Sequence, residues 1–338
     1  MMPARPADVA WHVDTPPGPY RAPPWLAGGH AQTIYPYLLG RPPVRYRRER
    51  IGAPDGDVWD FDWLDQDSAD QSAPLIVLFH GLEGGSRSHY ACMLMHSLVA
   101  RGWRGVVPHF RGCGGEPNRL PRAYHSGDHE EIGAMLDAIR ERAPIDGAPL
   151  YAVGVSLGGS ALLNWLGRAG AAANKILTAA AAVSTPLDLA AAGYSIDIGL
   201  NRIYSLHFLQ TLKPKSLEMA RRFPGLLDTR RVKGVRTMYE FDDIVTAPMH
   251  GFAGTDDYWT RASSKRWLAH VAVPTLVLNA KNDPFVPATS LPDPESVSSA
   301  VHLELPEQGG HVGFCSGAFP GRIDWLPRRL LQFLGQWR

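Results

Sequence analysis

Leu150-Tyr151-Ala152-Val153-Gly154-Val155-Ser156-Leu157-Gly158 decides the fold of this 338-residue chain. The apolar run reads as a buried strand, and the pattern G-x-S-x-G at its end reads as a sharp turn into a helix. On such a turn the serine is forced into a strained backbone conformation and its hydroxyl projects from the sheet. Glycine two residues before and two after removes the β-carbons that would collide with the turn. The helix that opens there presents unpaired N–H groups, which suit a developing anion. Five residues in a chain with 34 glycines carry little weight alone, so their surroundings have to supply the context.

The surroundings alternate strand and helix. Upstream, Leu75–Phe79 is a continuous apolar run, as in a strand covered on both faces. Tyr90, Met93, Leu94, Ser97 and Leu98 follow at helical spacing, then a strand at Gly105–Phe110 and a helix at Asp128–Arg142. The acids Asp128, Glu130 and Glu131 fall in that helix's first turn, where they suit its dipole. After the serine come a helix at Leu157–Arg168 and strands at Ile176–Val183, Pro274–Ala280 and Val301–Leu305, with a closing amphipathic helix at Ile323–Phe333. This grammar predicts a mostly parallel central sheet with helices on both faces. Earlier, Trp59, Phe61 and Trp63 alternate with Asp60 and Asp62 after the turn Pro54-Asp55-Gly56, the pattern of a half-buried hairpin strand.

Two segments depart from the rhythm. Residues 1–44 begin with a proline-rich stretch that lacks periodicity, and read as an ordered arm over the domain. Residues 187–265 hold helical fragments and turns but no strand pattern, so they read as a cap inserted over the strand ends where ligands bind in such folds. One catalytic domain with an embedded cap is expected.

Composition narrows the class. Hydrophobic residues at 45% and charged residues at 20% exclude a disordered chain. A formal net charge of +1 provides no global field for nucleic acid. The local cluster Arg45, Arg47, Arg48 and Arg50 reads as the solvated face of an early strand. Three cysteines, Cys92, Cys113 and Cys315, make neither a disulfide framework nor a metal motif, which points to a reducing, cytoplasmic setting. The start Met-Met-Pro-Ala-Arg-Pro lacks the apolar core of a secretory signal, and the alanine-rich Ala169–Ala192 is too often interrupted for a transmembrane segment.

An alkyl hydroxyl needs a base within hydrogen-bond reach, itself oriented by a carboxylate. In this architecture the order is serine, acid, histidine, each at a strand end. Asp283, in Lys281-Asn282-Asp283-Pro284, follows the strand through Leu278, and His311, in Gln308-Gly309-Gly310-His311, follows the last strand. The candidate catalytic residues are therefore Ser156, Asp283 and His311. The oxyanion of an acyl-transfer intermediate needs waiting N–H donors. Leu157 supplies one, and Leu82, in His80-Gly81-Leu82-Glu83-Gly84-Gly85, supplies the other; His80 reads as a hydrogen bonder that organises this loop. His125 and His129 lie four residues apart but lack the glutamate of HExxH, so no metal or other cofactor is expected. Arg111-Gly112-Cys113-Gly114-Gly115 fits neither phosphate-binding glycine pattern and reads as a structural loop at the pocket edge.

The motifs together resemble the YheT-like α/β-hydrolases, bacterial predicted esterases related to eukaryotic α/β-hydrolase-domain lipases. The resemblance rests on Gly28-Gly29-His30-Ala31-Gln32-Thr33, the His80 loop, Phe110–Asn118, Tyr124-His125-Ser126-Gly127 and the serine turn. Phe241-Asp242-Asp243, Thr246-Ala247-Pro248, Lys281–Pro284 and Gly309–Phe314 continue it. It implies the α/β-hydrolase fold, nucleophile Ser156, base His311 and acid Asp283, acting on carboxylic esters of short to medium acyl length. The eukaryotic members carry a transmembrane anchor, which is not expected in this chain, so phospholipid hydrolysis at a bilayer is not carried over from the resemblance. The expected partner is a small-molecule ester. The alternatives are transfer of the acyl group to another acceptor, thioester cleavage, or a non-catalytic binding protein on the same fold.

Overall fold

The computed structural model describes residues 17–65, 70–143 and 147–337. Eight strands form one sheet: β1 Tyr46–Gly52, β2 Val58–Leu64, β3 Leu75–Phe79, β4 Arg104–His109, β5 Leu150–Val155, β6 Ala179–Val183, β7 Thr275–Leu278 and β8 Val301–Glu304. Their spatial order is β1-β2-β4-β3-β5-β6-β7-β8. The β1–β2 and β2–β4 pairs are antiparallel and every other pair is parallel.

The strand period of two sorts the apolar side chains into two layers. Leu75, Val77 and Phe79 of β3 face one core, which contains Ile132, Met135 and Leu136 of α3 (His129–Arg142) and Leu162, Leu163 and Leu166 of α4 (Leu157–Ala169). Ile76 and Leu78 face the other, which contains Leu94, Met95 and Leu98 of α2 (His89–Arg101) and Leu330 and Leu331 of the closing helix Trp325–Leu334. Burial on both faces explains why these strands read as continuous apolar runs rather than alternating ones. The short helix α1 (Gly29–Ile34) belongs to the N-terminal arm, of which residues 1–16 lie outside the described residues.

Between β6 and β7 the chain is helical. It runs through α5 (Leu189–Ile196), α6 (Arg202–Arg222), α7 (Thr229–Gly234), α8 (Met238–Phe241), a π-helical turn Asp242–Thr246, α9 (Ala247–Met249) and α10 (Thr255–Ala262). Its own apolar cluster, including Leu209, Leu212, Val232 and Phe241, packs against Leu82 of the sheet domain.

Two expectations need correction. Strand β2 is buried on both faces from Trp59 to Trp63 rather than on one: Asp60 and Asp62 are 7% and 3% exposed. The arginines of β1 are the reason. Arg48 lies opposite Asp62 and Arg50 opposite Asp60, and each guanidinium grips its carboxylate through two nitrogens at 2.7–3.0 Å. Arg45, Arg47, Arg48 and Arg50 are all exposed, as the solvated-face reading expects, and Arg48 and Arg50 also use that position for cross-strand ion pairs. The acids heading α3 also do more than oppose a dipole. Only Glu130 is exposed; Glu131 receives Arg111 at 2.8 Å and the Trp59 indole N–H at 2.9 Å, and Asp128 receives Arg122 at 2.6 Å.

Candidate active site

Ser156 sits between the end of β5 and the first turn of α4 with φ 53° and ψ −119°, a conformation that L-residues adopt only when their surroundings impose it. Here the imposition is steric. A β-carbon on Gly158 would come within 2.4 Å of the carbonyl oxygens of Phe79 and His80, so only glycine lets α4 start this close to β3.

Asp283 and His311 leave the neighbouring strand ends β7 and β8 and converge on this serine. His311 Nε2 lies 3.1 Å from Ser156 Oγ, and Nδ1 lies 2.8 Å from Asp283 Oδ2. An ionised carboxylate only accepts, so Nδ1 carries the hydrogen and Nε2 offers its lone pair to the serine hydroxyl. Asp283 Oδ1 accepts the backbone N–H of Phe285 at 2.8 Å and of Val286 at 3.3 Å. Both residues are buried, at 5% and 7% exposure, and Phe285 covers the imidazole with ring centroids 4.2 Å apart. All three candidates from the sequence are therefore in one hydrogen-bonded chain.

Leu82 and Leu157 line the same cavity as Ser156 and His311. Leu157 is the first residue of α4, where N–H groups have no partner within the helix. In the other loop the flanking amides are occupied: Gly81 N–H donates to Tyr90 Oη at 2.9 Å and Glu83 N–H to Tyr124 Oη at 2.8 Å. Tyr124 also donates to Glu83 Oε1 at 3.0 Å, so one phenol holds both the main chain and the side chain of Glu83, whose φ is 55°. Two tyrosines thus fix the peptide units on either side of the one that carries the Leu82 N–H. The sequence contained the Tyr124 motif but no sign of this role, because the contact spans 41 residues.

His80 organises this loop as expected. Nδ1 lies 2.8 Å from Gly81 O, which receives its hydrogen, and Nε2 accepts Phe110 N–H at 3.2 Å. Burial pushes its pKa down to about 3, so the ring stays neutral and keeps both roles. Arg111 is likewise structural, bound to Asp55, Asp57 and Glu131 while bordering the cavity. His125 packs against His250 and Phe252 and accepts Gly127 N–H. Among the described residues no group of three metal-binding side chains converges.

The arm contributes what sequence reasoning missed. Gln32, fully buried on α1, donates to Leu26 O and Gln308 Oε1 at 2.8 Å each. Its own oxygen accepts Asn282 Nδ2 and Gly309 N–H at 2.9 Å each. Thr33 Oγ1 accepts the N–H of His311 at 2.8 Å. One helical turn therefore ties the acid loop to the base loop. The approach is close enough that a β-carbon on Gly29 would lie 1.9 Å from Asn282 O.

The cavity holds about 340 Å³, and the helical insertion contributes Phe208, Leu212, Met219, Phe241 and Trp259 to its lining. Asp242 lies in the same wall. Burial raises its pKa to about 6 even though Thr246 and the Trp259 indole donate to it.

Comparison with known proteins agrees with the fold. The family model described as alpha/beta hydrolase fold matches residues 74–318. The Escherichia coli (strain K12) protein named "Putative esterase YheT" is 40% identical over 90% of this chain and 89% of its own. The chain belongs to the YheT-like α/β-hydrolases. This YheT-like chain is also 35% identical to mouse Phospholipase ABHD3, over 92% of its length and 76% of that protein. A yeast protein named Monoacylglycerol lipase is 30% identical over 79% of this chain and 60% of its own. The solved Pyrococcus furiosus esterase PF2001 superposes with a TM-score of 0.55 over 87% of this chain and 92% of that one; at 15% identity it speaks for the fold alone. The YheT-like hydrolase has, among its described residues, no helix long and apolar enough to cross a membrane.

Proposed function

We propose that the protein is a serine esterase that hydrolyses carboxylic esters of short to medium acyl chains through an acyl-enzyme. The observation that carries this reading is the chain Ser156–His311–Asp283 opening onto a mainly apolar cavity. Esterase- and lipase-named relatives support the substrate class. Three cysteines without disulfide partners fit a cytoplasmic setting.

Ser156 Oγ attacks the ester carbonyl while His311 Nε2 takes its proton. Asp283 holds the ring in the required tautomer and stabilises the imidazolium. The carbonyl electrons move onto oxygen, which the N–H groups of Leu82 and Leu157 receive. As the tetrahedral intermediate collapses, the C–O bond to the alcohol breaks and His311 returns the proton to the leaving oxygen. Water, deprotonated by His311, attacks the acyl-serine; the acid leaves and the serine regains its proton. The helical insertion acts as a cap whose apolar wall holds the acyl chain.

The test is turnover of p-nitrophenyl esters from short to long chains by wild type and Ser156→Ala. The expected loss in kcat is on the order of 10⁴-fold or more. Wild-type turnover by the variant would overturn the mechanism. Faster product formation with added alcohol or thiol acceptors would move the assignment to acyl transfer.

A further inference from the structure

The insertion carries a charge that the whole chain conceals. Residues 202–236 contain nine Lys or Arg against two carboxylates, an excess of +7 in a chain whose formal net charge is +1. Few of these cations are spent on ion pairs: Lys215 meets Glu83, Arg221 meets Glu218 at 3.8 Å, and Arg231 meets Asp243 at 3.6 Å. Arg230, Lys233 and Arg236 are exposed.

Apolar side chains in water lead into this segment and open it. Ile198, Leu200, Ile203 and Leu206 are 65%, 80%, 63% and 48% exposed. Single exposed leucines need no explanation, but four within nine residues form a patch. Helix α6 orders the two features. Leu209, Leu212 and Ala220 form its buried stripe, while Ile203, Leu206, Gln210, Pro214 and Arg221 lie on the exposed side. Its outer face is therefore apolar at the start and basic at the end, over a length of about 30 Å. Phe208, Leu212 and Met219 on its flank line the cavity that reaches Ser156.

A surface that is basic and apolar at once suits a bilayer carrying anionic headgroups. The cations meet the lipid phosphates while the apolar residues enter the headgroup–acyl boundary. A nucleic acid would satisfy the charges but not the exposed aliphatic residues. We infer that α6 and α7 dock the protein on anionic lipid surfaces. Resting on the esterase reading above, the inference extends to substrate delivery: the ester enters along α6 from that surface.

The experiment is sedimentation of the full chain with phosphatidylcholine vesicles, with and without phosphatidylglycerol. Binding should require the anionic lipid and weaken with salt. R230Q/K233Q/R236Q should lower partitioning between tenfold and about a hundredfold, at roughly fivefold per cation. I203S/L206S should lower it about tenfold. Both variants should turn over a soluble p-nitrophenyl ester at the wild-type rate, which also reports an intact fold. Ser156→Ala should bind vesicles like wild type, so the docking result stands apart from the catalytic one. No binding to anionic vesicles would overturn the inference, as would binding that neither variant alters. Charge-dependent RNA binding, or self-association through the patch without vesicle binding, would do the same.

Discussion

Gln32→Leu isolates what the N-terminal arm does for the candidate site. Leucine nearly fills the same volume, so the change removes hydrogen bonds rather than packing. Four are lost, to Leu26 O, Gln308 Oε1, Asn282 Nδ2 and Gly309 N–H. Gln308 is exposed and Asn282 is partly so, and both can turn to water. The carbonyl of Leu26 and the amide of Gly309 lie at buried residues and are left unpaired. At about 1–3 kcal/mol for each unsatisfied group, the cost is about 2–6 kcal/mol of stability. Against a total on the order of 5–15 kcal/mol the variant stays mostly folded. The kinetic effect is separate. Asn282 adjoins Asp283, Gly309 is two residues before His311, and Gln32 is what joins the two loops. A displacement near 1 Å costs on the order of a hundredfold, so kcat should fall about ten- to a hundredfold. Urea unfolding gives the first quantity; ester turnover per site labelled by a serine-directed phosphonate gives the second. Gln308→Ala, at the exposed edge of the network, should cost less than about 1 kcal/mol. A stability loss with unchanged turnover per labelled site would refute the positioning argument, and no stability loss would refute the network itself.

Tyr124→Phe should lower kcat about tenfold with little change in KM, because it frees the Glu83 amide that fixes one side of Leu82, a loss of about 1–3 kcal/mol; steady-state kinetics with unchanged kcat would remove Tyr124 from the oxyanion geometry. Asp242 predicts a pH dependence. Its carboxyl titrates near 6 in the fold because of burial, and near 3.8 when unfolded. Between these values the folded state keeps a proton that the unfolded chain has released, so this group's contribution to stability falls as pH rises through that window, by about 3 kcal/mol in all. Urea midpoints of wild type and Asp242→Asn should therefore diverge between pH 4 and 7 in the variant's favour; parallel profiles would show that the carboxyl titrates normally.

Much of this was legible in the sequence because it is written at short range. The apolar runs of β3, β5 and β6 and the serine turn between β5 and α4 are local patterns, and their order fixes the parallel sheet. Asp283 and His311 could be picked out by their places after successive strands. Where the reading failed, the missing partner was far along the chain. Asp60 and Asp62 looked like the wet side of a hairpin strand, since nothing in Val58–Leu64 announces that Arg48 and Arg50 lie across from them. The acids at the head of α3 looked like dipole partners until Arg111 and Arg122 were seen to bind them. In 187–265 the sequence correctly yielded helices without strands, but short helical fragments do not state which face lies inward.

By itself the sequence determined the strand–turn–helix around Ser156, the alternation that builds the sheet and the order of the three candidate side chains. These follow from backbone sterics and hydrophobic periodicity, which act within a few residues. Only the tertiary structure decided that Gln32 joins two loops about 250 and 277 residues away, that Tyr90 and Tyr124 hold the peptides beside Leu82, and that α6 turns its cations and aliphatic side chains outward. Such contacts depend on where the sheet brings distant segments together, and hydrogen-bond geometry between distant segments leaves no period in the chain.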